Sequence, residues 1–208
     1  MLSRTGMAAA LVVLLGLAAR AADEGFTPLV KGDDPKQFEL VGIGPDALQI
    51  ESTGEIRVAG KPNGYFATKS SYKNYVLEFE WMYERPDGLE SDAKFKGNSG
   101  VLLHIQAHKV WPQSVEVQLE NKDAGHIFAI GGSKFQGKKD GDAQKRAIKA
   151  VGQWNKEEIV CKDGAITCSI NGIEVDTGTG ASPDGGPIGW QSEGAPIRFR
   201  NLRIKTRD

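Results

Sequence analysis

Apolar and polar side chains alternate strictly along Val115-Glu116-Val117-Gln118-Leu119-Glu120. On a strand of period two, Val115, Val117 and Leu119 face one side while Glu116, Gln118 and Glu120 face the other. The same alternation runs through Tyr75–Tyr83, where Leu77, Phe79, Trp81 and Tyr83 oppose Val76, Glu78, Glu80 and Met82. It recurs at 101–106, with Val101, Leu103 and Ile105 against Leu102, His104 and Gln106. Shorter strand signals lie at 48–51, 55–58, 157–161, 167–170, 173–176, 188–191 and 197–205. Between them stand turn formers: Pro86-Asp87-Gly88 in a polar loop over 85–96, Gly97-Asn98-Ser99-Gly100, and Asn171-Gly172. The mixed-charge stretch 134–149 reads as a solvated loop with one helical turn near 143–148. The last strand slips phase, with Ile197 and Phe199 apolar on odd numbers and Leu202 and Ile204 on even ones. That slip predicts a bulge at Arg200-Asn201, which re-aims a side chain.

Many antiparallel strands, few helices and no internal repeat predict an all-β jelly-roll sandwich. The outer face of one sheet of such a fold can form a groove. If consecutive strands are neighbours, Glu78 and Glu80, His104 and Gln106, and Glu116, Gln118 and Glu120 line adjacent rungs of one face. Polar carbonyl groups in a row suit the floor of a carbohydrate groove, where carboxylates handle hydroxyls or protons. A merely solvated strand face is the plain alternative.

The first residues change the picture of where the chain works. Met1-Leu2-Ser3-Arg4 is a basic start, 7–19 is an apolar run, and Ala19-Arg20-Ala21 is a small-x-small cleavage signal. Residues 1–21 are thus expected to be a signal peptide, and the chain to be exported, periplasmic or extracellular. The run is short for a membrane span, and no second one follows, so the mature chain is expected to have none. Residues 25–206 are expected to form one domain. The net charge of −1 argues against nucleic acid as a partner.

Two cysteines, Cys161 and Cys168, flank a turn. A two-residue turn at Gly164-Ala165 would set them opposite each other, and export permits a disulfide. Two half-buried free thiols are equally compatible with the sequence.

Several segments together resemble the 3-keto-disaccharide hydrolase domain family. They are Tyr75-Val76-Leu77-Glu78-Phe79-Glu80-Trp81, Gly97-Asn98-Ser99-Gly100-Val101, Glu116-Val117-Gln118-Leu119, Asp123-Ala124-Gly125, Trp154-Asn155, Asn171-Gly172, Gly189-Trp190-Gln191-Ser192-Glu193-Gly194 and Phe199-Arg200-Asn201. The resemblance implies a concanavalin A-like jelly roll acting on glycosides already oxidised to a ketone at C3. The chain departs from the family pattern in lacking a tryptophan at 26–38. It also has His126 where an acidic residue is common and His104 where arginine is frequent.

A 3-keto group acidifies the C2 hydrogen, so a base can remove it, the C1 substituent can leave, and water can add. Such a site needs a base, a stabiliser for the enolate oxygen and an acid for the leaving group. Glu116 is the candidate base or metal ligand, and His104 a candidate acid, base or ligand. Gln118, Glu120, Asn98, Trp190, Gln191, Glu193 and Arg200 are candidate substrate-binding residues. A divalent metal is one option for the stabiliser, with its identity open. The expected partners are an oligosaccharide or glycoside substrate and a sugar oxidoreductase that supplies the ketone. Glu116 and Glu120 share a strand face as in some retaining glucanases, but Gln118 stands where those have a carboxylate. Two rivals remain: a non-catalytic carbohydrate-binding module of the envelope, and a structural or adhesion domain.

Overall fold

A computed structural model describes residues 25–207. The expected signal peptide, 1–21, lies outside them. In chain order the strands begin β1 (Thr27–Pro28), β2 (Glu39–Val41), β3 (Leu48–Ile50), β4 (Ile56–Val58), β5 (Gly64–Ala67), β6 (Tyr75–Tyr83), β7 (Gly100–Leu103) and β8 (Ser114–Gln118). They continue with β9 (Ile127–Ile130), β10 (Lys134–Lys139), β11 (Asn155–Lys162), β12 (Ala165–Ile170), β13 (Ile173–Ser182), β14 (Gly189–Ser192) and β15 (Ile197–Thr206). A short helix, α1 (Gly141–Ala147), is capped by Asp140, whose side chain accepts from the Asp142 and Ala143 amides at 3.0 and 2.9 Å.

Two antiparallel sheets pack face to face as a concanavalin A-like jelly-roll sandwich. One runs β10-β13-β12-β11-β6-β15-β4-β3, with β1 also paired to β15; the other runs β2-β5-β14-β7-β8-β9. The alternating apolar residues meet between them: Leu77, Phe79 and Trp81 from β6, Val101 and Leu103 from β7, and Val115 and Val117 from β8 are all buried. Trp190 belongs to this core. Its ring stacks on Phe66 with centroids 5.2 Å apart, so it is a packing residue rather than a platform for sugar.

The sandwich separates residues that the alternation alone had placed together. β7 and β8 are neighbours, with Leu102 opposite Glu116. β6, however, lies in the other sheet, so Glu78 and Glu80 face away from Glu116. The chain crosses from one sheet to the other between β6 and β7, a step that alternation within a strand does not encode. The charged stretch expected as a loop forms β10 over Lys134–Lys139, paired with β13. It is an edge strand, and its lysines suit an exposed edge. The predicted bulge is present: the β15–β6 register shifts between Arg200 and Arg203, with Asn201 at φ 55°.

The cysteine turn is centred one residue earlier than expected. Asp163 and Gly164 take positive φ of 50° and 79°, the pair that a tight hairpin needs. Lys162 then faces Ala165, and Cys161 faces Ile166 rather than Cys168. Both thiols are free and buried. Cys168 instead donates to Glu157 Oε1 at 3.5 Å. Glu157 also accepts from Trp81 Nε1 at 2.7 Å. Full burial without a counter-ion pushes its carboxyl up to about 8, so this core acid holds its proton at neutral pH.

Candidate active site

Register builds the outer face of the six-stranded sheet in two rows. Gln191 pairs with Tyr65, and Gly100 with Gln118. Trp190 opposite Val101 sets Gln191 beside Gly100. The first row is therefore Tyr65, Gln191, Gly100, Gln118. The second is Ala67, Gly189, Leu102, Glu116, Phe128.

Glu116 and Gln191 lean toward each other across the empty position at Gly100. A Cβ on Gly100 would stand 2.4 Å from Glu116 Oε1 and 2.5 Å from Gln191 Oε1. Glu116 is 4% exposed. Burial, then the charge of Glu193, push its carboxyl up to about 7, while the Gln191 amide pulls the other way. Neither Gln191 Nε2 nor Oε1 completes a hydrogen bond of good geometry with a protein group, and both are buried. A buried amide with incomplete hydrogen bonds, beside a carboxyl pushed toward neutrality on an outer sheet face, makes this the candidate site.

The loop before β7 and the end of β14 run side by side and add the next layer. Asn98 forms backbone bridges with Glu193 and Gly194, and Ser99 Oγ donates to the Gln191 carbonyl at 2.9 Å. Burial raises the Glu193 carboxyl against a hydrogen bond from the Asn98 side chain, whose Oδ1 is buried without a partner. Glu116, Gln191, Asn98 and Glu193 thus come together at one end of this face.

The remaining candidates do not join them in the same way. Gln118 is on the right face, but its Oε1 accepts from the Leu119 and Glu120 amides at 2.9 and 2.8 Å, so it shapes the following turn. Glu120 sits in that turn, half-buried, and with Glu193 acts on the buried Tyr83 hydroxyl. His104 is a correction. β7 ends at Leu103, and His104 takes φ 60°, which breaks the alternation and turns the ring inward. Its Nε2 lies 3.3 Å from Tyr75 Oη and its Nδ1 3.3 Å from the Pro183 carbonyl; burial lowers its pKa. Arg200 is a second correction. It stacks 4.0 Å over Trp154 and pairs with Glu80 at 2.6 Å, on the opposite sheet. Trp190, in the core, is the third.

His126, not among the sequence candidates, also lies on this face. Gly125, at φ 85°, and His126 together oppose Gln118: the Gly125 amide donates to the Gln118 carbonyl and the Gln118 amide to the His126 carbonyl, at 2.7 and 2.8 Å. This is a bulge with glycine in its left-handed first position. Ile127 then points into the core, and His126 and Phe128 point out, their rings 5.3 Å apart. Phe128 is the residue opposite Glu116. The sequence signals were the turn Asp123-Ala124-Gly125 and the histidine at 126, where the family commonly has an acidic residue.

The loop at 106–113 covers the other end of this face. Val110 Cγ2 lies 2.6 Å from where a Gly42 Cβ would stand. The Lys109 backbone approaches the Tyr65 hydroxyl, which burial pushes up to about 12. Beneath the loop Val41, Tyr65, Ala67, Leu102 and Ile105 form a small apolar cluster. Trp111 stays 47% exposed at φ 60°, an unusual conformation for a bulky residue.

A hollow of about 560 Å³ lies elsewhere, on the outer face of the nine-stranded sheet beside Glu78 and Glu80. Its carboxylates are already neutralised: Arg203 binds Glu78 at 2.8 Å and Arg200 binds Glu80. Size alone does not make it the chemical centre, whereas the Glu116 face holds unsatisfied polar groups. Among the described residues no three His, Cys, Asp or Glu side chains converge to hold a metal ion. The metal left open by the sequence therefore finds no ligand set of that kind here.

The model of the 3-keto-alpha-glucoside-1,2-lyase-like domain matches residues 25–205. The chain belongs to this family. No curated protein matches it. A candidate glycosyl hydrolase from Parabacteroides distasonis is similar in fold, at TM-score 0.65 and 20% identity over 91% of this chain and 97% of that one. A second from the same organism has TM-score 0.65 and 19% identity over 88% and 99%. A carbohydrate-binding module from Bacillus subtilis follows at TM-score 0.54 and 10% identity over 88% and 96%. At these identities the structural likeness speaks for the sandwich alone; the family match ties the 3-keto-glucoside-lyase-like domain to carbohydrate chemistry.

Proposed function

We propose that this domain is an exported enzyme that cleaves 3-keto-glycosides by removing the C2 proton, expelling the C1 substituent and adding water. The observation that carries the reading is the Glu116 carboxyl, buried on an outer sheet face beside an amide with incomplete hydrogen bonds and held at about 7. A base working at neutral pH is best tuned to that range. The family's description, naming a 1,2-lyase of a 3-keto-alpha-glucoside, supports the same chemistry.

In this reading Glu116 takes the proton from C2. Gln191 Nε2, a buried donor beside Glu116 whose hydrogen bonds within the protein are incomplete, hydrogen-bonds the C3 oxygen as charge develops there. Such a pre-aimed donor stabilises an enolate without reorganising at the moment of reaction. Asn98 and Glu193 hold hydroxyls at the rim. The substrate must arrive oxidised, so a sugar oxidoreductase acts upstream. Residues 1–21 direct the chain to the periplasm or the medium.

The test is release of 4-nitrophenol from both anomers of a 3-keto-glucoside by the mature chain, with and without a chelator. Glu116→Gln should lower the rate by about 10²–10⁴-fold. Release from neither anomer, with a sugar still protecting the protein against heat, would make the domain a binding module instead.

A further inference from the structure

We infer that His126, held by Asp123, is the group that protonates the departing glycosidic oxygen. The inference rests on the 3-keto-glycoside reading and supplies the acid that reading lacks. His104 had been the natural choice from sequence, but its ring is turned into the sandwich against Tyr75.

Three features of the fold place His126 for this work. First, the bulge at Gly125 and the inward Ile127 set its ring on the same outer face as Glu116. Second, it is the diagonal neighbour of Glu116, because Phe128 opposes Glu116 and the bulge opposes Gln118. Diagonal positions on an antiparallel pair lie roughly 7–8 Å apart, a gap in which long side chains can meet adjacent atoms of one sugar. Third, the ring is oriented. Its Nδ1 is 2.9 Å from Asp123 Oδ2, and Lys139 Nζ binds Asp123 Oδ1, so the carboxylate is clamped from both sides. An imidazole whose Nδ1–H is given to a carboxylate presents Nε2 to the reaction. With 36% of its side chain exposed, substrate can reach it.

The proton inventory closes with these two groups. In elimination Glu116 takes the proton from C2, the C1–O bond breaks, and Nε2–H passes to the leaving oxygen. An alcohol departs, and a C1=C2 double bond remains, conjugated to the C3 ketone. In hydration the now neutral Nε2 takes a proton from water as its oxygen bonds to C1, and Glu116 returns its proton to C2. One water is consumed, no electrons are exchanged, and both side chains are restored.

The decisive comparison is leaving-group dependence. Nitrophenolate leaves without help, whereas methoxide needs an acid. The mature chain and its His126→Gln variant are given 4-nitrophenyl and methyl 3-keto-glucosides, both anomers, and C2–H exchange with deuterium oxide is followed by NMR. The expected result is a fall of about 10²–10⁴-fold on the methyl glycoside, a far smaller fall on the nitrophenyl one, and persistent C2 exchange. Asp123→Asn, which keeps the imidazole, should show the same skew more weakly; it carries the comparison if His126→Gln fails to fold. Equal losses on both substrates, or no loss on either, would overturn the assignment while leaving Glu116 as base. Loss of C2 exchange in His126→Gln would overturn it by making His126 part of the base. If the parent chain releases neither alcohol and exchanges no C2 hydrogen, the 3-keto reading fails and this inference falls with it.

Discussion

Gly100 leaves the space in which the Glu116 carboxyl rests: a methyl group added there would stand 2.4 Å from Glu116 Oε1. The same methyl would crowd Gln191. Gly100→Ala should therefore push both side chains off their positions while leaving the ladder intact. The expected outcome is at least about a tenfold loss of kcat/KM, since a 1 Å misplacement can cost 10²-fold, with Tm moved by only a few degrees. Turnover and melting curves of the variant check this. An unchanged kcat/KM would remove Gly100 and its neighbours from the site.

The ionisation of Glu116 sets a pH profile. A base must be deprotonated, so kcat/KM should rise with pH up to an inflection near the carboxyl's value of about 7. Glu193 contributes to that value by like-charge repulsion. Glu193→Gln should move the inflection to lower pH, and the pH–rate profiles of the two proteins measure it.

Glu157 gives a stability prediction in a different part of the molecule. Its folded value of about 8 lies above the ordinary 4.5, so the folded state binds its proton more tightly than the unfolded chain. Its contribution is full below about 4.5 and is lost as pH rises through 8. The unfolding free energy measured in urea should fall between pH 5 and pH 9 by an amount on the order of a few kcal/mol. Glu116 adds to the fall only up to its own value of about 7. Glu157→Gln keeps an acceptor for Trp81 Nε1 and should flatten the curve above pH 7.

Arg200 offers a negative control on the opposite sheet. Its pair with Glu80 is partly exposed, with side chains 39% and 24% accessible, and its stack on Trp154 lies at the surface. Arg200→Ala should cost about 1 kcal/mol or less and leave turnover within about twofold. A larger loss of activity would show that the two faces communicate.

Much of the sandwich could be read from the chain because it rests on period-two alternation. Tyr75–Tyr83 and the slip at Arg200 came through as strand and bulge. What alternation cannot carry is which sheet a strand joins, so Glu78 and Glu80 were grouped with Glu116 and lie on the other side. Single backbone angles were equally hidden. A φ of 60° turns His104 inward, while a left-handed Gly125 helps set His126 outward. Glu116, Gln191, Asn98 and Glu193 were legible because they sit in regular strands or their immediate flanks. The clamp of Asp123 by Lys139 was not, because it joins the 120–125 turn to a strand mistaken for loop.

The bulge at Gly125 makes chain length at this hairpin a chemical variable. Side chains on a ladder change faces with every residue, so losing one residue between Glu120 and Gly125 with the turn geometry kept would move Ile127 into the place of His126 and His126 into that of Gly125, where a Cβ would stand 2.3 Å from Val175. The imidazole would enter a dry core and an aliphatic group would meet the solvent. Parity, rather than composition, thus decides which atoms this turn offers to whatever binds above it.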